Sequence, residues 1–197
     1  MSNQAKLQYV QDMLAGFGGI SLLRVPRFSD QVFELYCYIR KIEEFINVGR
    51  IPQCQSITPG VFKPHAKPGR PRAADYFRLI DPQGGEDRDI ILNGEFQGIS
   101  GISHSPDIVL TKSNENHIIS IYECKNHSGS LGPGIYREFI GYCEETGLLV
   151  KSNRGRISAL TDTFPVMVPC IYTSAVANQD HVEKVKKTYN FSVVDNL

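Results

Sequence analysis

Two apolar runs joined by a short polar link constrain this chain more than any other feature, because each carries charge at its far end. SPDIVLTK, from Ser105 to Lys112, and HIISIYECK, from His117 to Lys125, both alternate and are rich in branched side chains, and the intervening SNEN has the composition of a turn. The pattern predicts an antiparallel hairpin. With its turn centred on Glu115, facing positions sum to 230, which sets Asp107 opposite Glu123 with Cβ atoms roughly 5 Å apart. Side chains alternate along a strand, so Glu123 and Lys125 share one face and Cys124 takes the other.

Two carboxylates held face to face repel, and burial raises the cost. A divalent cation resolves the conflict. Mg²⁺ takes oxygen ligands, commonly one or two carboxylates with the remainder from water and phosphate, and Mn²⁺ is expected to substitute for it. Lys125 beside such a cation would orient or deprotonate a water, its pKa lowered by the cation and by partial burial. The competing reading is a surface hairpin whose charges simply pair with one another. Acids at the ends of otherwise apolar strands argue against it.

With 197 residues, 41% of them hydrophobic, the chain has enough apolar material for one sizeable core and is short for two. A single domain over 1–197 is expected, with an N-terminal helix and connector over 1–28 and a core over 29–197. No stretch reaches the length of an apolar membrane span, and MSNQAKLQYVQDM lacks the basic-then-apolar run of a signal peptide, so a cytoplasmic protein without membrane contact is expected. Cys37, Cys54, Cys124, Cys143 and Cys170 are odd in number and scattered through apolar runs, as reduced core thiols would be. Cys124 and His127 have ligand-like spacing, but no second pair completes a zinc tetrahedron.

A formal net charge of zero argues against a general polyanion binder. Two local clusters stand out. KPHAKPGRPR carries Lys63, His65, Lys67, Arg70 and Arg72 among prolines that keep it extended, and KSNRGR, from Lys151 to Arg156, contains Arg154. Either could lie along a phosphate backbone, or each could be a solvated loop.

Along the chain, Asn3 to Leu14 reads as a helix stopped by GFGG. Ser29, as N-cap, to Asn47 reads as a second, closed by Gly49. Val32, Leu35, Tyr36, Ile39, Ile42 and Ile46 form its apolar stripe, with Glu34 at the edge. Arg50 to Arg72 reads as a loop. DYFRLI and DIILNGEF read as strands, HSGSLGPG as a turn, Ile135 to Glu145 as a helix, TFPVMVPCIYTSA as a buried strand, Gln179 to Tyr189 as a basic amphipathic helix, and FSVVDNL as a last strand.

This order, with Pro106 and Asp107 followed by Glu123, Cys124 and Lys125, resembles the PD-(D/E)xK nuclease superfamily and its restriction-endonuclease-like fold. The resemblance covers most of residues 29 to 197. It implies an α/β fold with a central mixed β-sheet flanked by α-helices, with Asp107 and Glu123 binding Mg²⁺ through their carboxylates and Cys124 through its backbone carbonyl. Lys125 would assist the attacking water. Many members add an acid from the first helix. Glu34 is the favoured match, and Glu95 in the preceding strand competes as a metal ligand. Glu138 and Tyr142 have the spacing of a Gln-x-x-x-Tyr pattern found in some members, with glutamate in place of glutamine. Tyr142 also belongs to the apolar stripe of its helix.

The activity implied is Mg²⁺-dependent phosphodiester hydrolysis by an endonuclease, on DNA rather than RNA by the superfamily's habit. Cutting both strands would favour a homodimer. Serine and cysteine nucleophile schemes have no recognisable motif here. His104 and His127 flank the expected site, where His127 could meet a substrate phosphate or stand by. The alternative from another class is a nuclease-fold module that binds nucleic acid or assembles complexes without cleaving.

Overall fold

A computed structural model of the protein describes residues 1–24, 26, 28–65, 67–127, 129–151, 157–159, 167–189 and 191–197. The chain opens with α1 (Asn3–Gly16), capped by the Ser2 hydroxyl accepting from the Ala5 N–H, then a short β1 (Ser21–Leu22) and α2 (Ser29–Asn47). α2 has the expected bounds. Ser29 is not its N-cap, however: it is the first helical residue, after an extended Phe28 whose side chain caps nothing. Gly49 closes the helix at φ 90°, a conformation few other residues adopt.

The stretch read as a loop from Arg50 to Arg72 holds two strands, β2 (Ile51–Gln55) and β3 (Val61–Phe62). There follow β4 (Tyr76–Ile80), β5 (Arg88–Leu92), β6 (Phe96–Gln97), β7 (Ser103–His104), β8 (Ile108–Lys112) and β9 (Ile118–Lys125). The last third contains α3 (Pro133–Glu145), β10 (Leu149–Lys151), β11 (Ile157–Ala159), β12 (Cys170–Thr173), α4 (Gln179–Tyr189) and β13 (Ser192–Val194). DIILNGEF thus divides between β5 and β6, and TFPVMVPCIYTSA contributes β12.

Seven strands form one mixed sheet in the order β13-β12-β9-β8-β5-β4-β2. The run from β2 to β9 is antiparallel, while β12 and β13 lie parallel to β9. Parallel neighbours need crossovers, and α3 and α4 lie between them in sequence.

Strand parity sorts the core into two layers. Phe77, Leu79, Ile90, Leu92, Ile108, Leu110, Tyr122 and Cys124 pack with α1 and α2 on one face. Ile91, Val109, Ile121 and Ile171 pack with Phe139 and Cys143 of α3 and the apolar side of α4 on the other. α2 is therefore buried on more than a stripe: Phe33, Cys37, Tyr38 and Phe45 join the expected residues. Tyr38 is pinned by its hydroxyl, which donates to the Ile90 carbonyl at 2.8 Å and accepts the Phe77 N–H at 3.2 Å. All five cysteines are free thiols, four of them buried. No helix among the described residues is long and apolar enough to cross a membrane.

Candidate active site

The β8–β9 hairpin has the expected register where it matters. Ile108 faces Tyr122, Val109 faces Ile121 and Leu110 faces Ser120, each pair summing to 230. A bulge after Leu110 then moves Thr111 opposite Ile118, so the slip falls at the turn end and spares the charged end. Asp107 stands one residue before β8. Its Oδ2 accepts the Cys124 N–H at 2.7 Å, which draws its carboxylate to the backbone of the opposing strand beside Glu123. Cys124 turns its thiol to the α2 layer, next to Cys37.

Glu123 is 4% exposed. Its Oε1 accepts from Lys125 Nζ at 2.7 Å, while its Oε2 is buried with no hydrogen-bond partner. A carboxylate oxygen stranded in this way is costly unless something absent from the chain itself satisfies it. The end of β9 is tied down by β12, where Thr173 Oγ1 and the Ser174 N–H both donate to the Lys125 carbonyl. Asn126 bridges the Ser174 hydroxyl and Asp30 of α2.

The titration of these groups records the same conflict. Burial, then the charge of Glu34, pushes Asp107 from an ordinary 3.8 to about 7, despite the Cys124 N–H. Burial, then Asp107, pushes Glu123 from 4.5 to about 7, despite Lys125. Burial would lower Lys125, but Glu123 and Asp107 outweigh it and its pKa is raised. The expectation that burial lowers this lysine is therefore reversed in the protein alone. The ion pair favours Lys125 yet fails to offset the desolvation and repulsion at Glu123.

Glu34 and Glu95, the two rivals for the additional acid, separate clearly. Glu34 is half-buried, accepts from Asn93 Nδ2 at 3.3 Å, and lies close enough for its charge to act on Asp107 and Glu123. Burial raises its own pKa. Glu95 is exposed, and its backbone N–H bonds to Gly69. α3 adds a contact: Glu138 Oε2 is 4.0 Å from Lys125 Nζ, and Glu138 Oε1 accepts the Tyr142 hydroxyl at 3.3 Å. Asn93 escaped the sequence reading altogether. Its signal was the Asn-Gly step that ends β5, where Asn93 sits at φ 53° and donates its N–H to the Asp107 carbonyl at 2.7 Å.

The basic residues divide. Lys63, Lys67 and Arg70 are exposed, and Lys63 and Lys67 line a cavity together with Glu34. Arg72, expected along a phosphate backbone, instead folds back onto the sheet. Its Nε lies 2.9 Å from Asp89 Oδ2, and its other nitrogens bond to Thr111, Asn116 and the carbonyls of Lys112 and Glu115. Asp89 is fully buried, with Arg78 as its second partner, so a cation there is structural. His127 is exposed just beyond β9. His104 faces Glu145 at 3.6 Å and the edge of Tyr142 rather than lying in the sheet beside Asp107. Arg154 lies outside the described residues.

Among the described residues, no three His, Cys, Asp or Glu side chains converge as a closed cage for a metal. The arrangement of Asp107 and Glu123 fits a different donor set, the one or two carboxylates with which Mg²⁺ is held when water and phosphate complete its shell. The unpartnered Glu123 Oε2 supports that fit. The chain matches no family model, no curated protein and no solved structure.

Proposed function

We propose that the protein is a Mg²⁺-dependent nuclease of the PD-(D/E)xK kind, hydrolysing phosphodiester bonds in nucleic acid, with DNA the expected substrate. One observation carries the reading: a buried carboxylate oxygen of Glu123 without a partner, beside a second carboxylate and a lysine on adjoining strand ends. The strand order supports the finer fold assignment. An antiparallel hairpin bearing the acids is followed by parallel strands, with α2 and α3 on opposite faces.

Asp107 and Glu123 would hold the cation, with the Cys124 carbonyl as the third expected donor. The cation would supply Lewis acidity at the scissile phosphate and a water made acidic enough to attack. Asp107 is oriented by the Cys124 N–H and Glu123 by Lys125, so both are placed before substrate arrives. The raised pKa of Lys125 keeps it an ammonium. It therefore contributes charge and hydrogen-bond donors to the phosphate oxygens or the incoming water, stabilising negative charge as it develops. Glu34, held by Asn93, adds a third carboxylate able to orient water at the rim.

The test is cleavage of supercoiled plasmid and of circular single-stranded DNA by purified protein, with Mg²⁺ and with EDTA. Wild type should cut in Mg²⁺ only, and Asp107→Asn should not cut. Equal cleavage by Asp107→Asn overturns the site, and no cleavage by wild type with Mg²⁺ or Mn²⁺ overturns the reading.

A further inference from the structure

The proline-rich basic segment does not stand clear of the acids. Buried Asp75 accepts the N–H groups of Ile57 at 2.9 Å and Lys63 at 2.7 Å, which fixes the start of the segment. Its far end is pinned by the bridge from Gly69 to Gly94, and between them Asn93 Nδ2 reaches the His65 carbonyl at 3.4 Å. Between this segment and the start of α2 lies a cavity of about 300 Å³.

The lining of that cavity has three parts. Leu35, Leu92 and Pro64 are apolar, Arg24, Lys63 and Lys67 are exposed cations, and Glu34 and Asn93 are polar groups shared with the acidic site. Phe28 belongs to the lining as well and is 68% exposed, a large ring left in solvent on a cavity that three cations also line. Asn93 joins cavity and acids directly, holding Glu34 with its side chain and Asp107 with its backbone.

Size and chemistry narrow the occupant. A volume at the small end of ligand sites, which run from about 300 to 1,000 Å³, admits one nucleotide and excludes a duplex. An aromatic face beside cations is what unpaired bases use, since every base stacks and every linkage carries a phosphate. A base paired within a duplex reaches such a cavity only by leaving the stack.

We infer that this cavity takes one unpaired nucleotide, its base stacked on Phe28 and its phosphates held by Arg24, Lys63 and Lys67. The substrate class is then single-stranded or locally opened nucleic acid. This rests on the nuclease reading of the adjoining acids, and it makes a claim that the acids alone do not.

The experiment measures fluorescence anisotropy in EDTA, where no cleavage occurs, with a labelled single-stranded 12-mer and the same sequence as a duplex. Wild type should prefer the single strand. Phe28→Ala, an exposed position that leaves the backbone of α2 intact, should weaken single-strand binding on the order of tenfold and leave duplex binding unchanged. A 2-aminopurine placed in the strand should be quenched by wild type and not by Phe28→Ala. Equal affinity for both forms, or single-strand binding indifferent to Phe28→Ala, overturns the inference. Mg²⁺-dependent duplex cleavage indifferent to Phe28→Ala would overturn it too while leaving the nuclease reading in place. Phe28-dependent single-strand binding without any cleavage supports the cavity and removes the nuclease reading.

Discussion

Replacing Glu123 by glutamine should make the metal-free protein more stable while abolishing the proposed Mg²⁺-dependent cleavage. The ionised carboxylate is held where burial and Asp107 disfavour it, and its pKa of about 7 already includes the help of Lys125. Raised from 4.5, that pKa corresponds at about 1.4 kcal/mol per unit to an upper bound of about 3 kcal/mol of destabilisation above pH 7. Part of the repulsion is shared with Asp107, and the amide is a poorer partner for Lys125, so about 1–3 kcal/mol of gain is expected at pH 8. For a chain of this length that is a rise of about 2–12 °C in Tm. The sign follows from linkage. A raised carboxyl pKa stabilises below its unfolded value and loses that contribution as pH rises through the folded value, so the gain should vanish near pH 4. Thermal unfolding in EDTA at pH 4.5, 6 and 8 reads it. With 10 mM Mg²⁺ at pH 8 the order should reverse, because the cation stabilises only the intact site. A Glu123→Gln protein less stable than wild type in EDTA at pH 8 would show that the buried Glu123 charge costs no stability, and one stabilised equally by Mg²⁺ would show that Glu123 holds no cation.

The same linkage predicts that wild-type protein in EDTA loses stability between about pH 4 and pH 8 through Asp107 and Glu123, and that Mg²⁺ restores it at the alkaline end, as urea titrations at fixed pH would show. Lys125→Met should abolish cleavage while Mg²⁺ still stabilises the fold, which separates the ammonium's role from cation binding in one melting series. Arg72→Ala should cost about 2–4 kcal/mol by leaving buried Asp89 with one of its two guanidinium partners, Arg78, and the Asn114 N–H, measured by denaturation. Tyr38→Phe should cost about 1–3 kcal/mol, since it strands the Ile90 carbonyl and the Phe77 N–H in the core, with no change in Mg²⁺ response.

What the sequence made legible was whatever periodicity and parity control. α2 and α4 have the expected bounds because their apolar spacing is strong and uninterrupted. The register of Asp107 against Glu123 could be counted because a one-residue slip would have moved Ile108, Leu110 and Tyr122 from the layer against α2 to the layer against α3. The bulge after Leu110 was not countable, yet it falls on the side of the hairpin away from the acids. β2 was missed because IPQCQ is a half-exposed edge strand containing Pro52, and an edge is where proline is tolerated and alternation is weakest. Arg72 could not be separated from Lys67 by composition, since only the fold brings Asp89 to it. The choice between Glu34 and Glu95 likewise needed tertiary structure, because it depends on Asn93 turning between α2 and the hairpin.

Cation binding by Asp107 and Glu123 underlies the proposed chemistry. Its most direct test is anomalous diffraction from crystals soaked in Mn²⁺ at pH 8, above the pKa of both acids. One peak within coordination distance of an Asp107 oxygen and of Glu123 Oε2, lost in an Asp107→Asn crystal, is the predicted result. No peak there, with Glu123 Oε2 still unpartnered, would rule out a divalent cation at this pair.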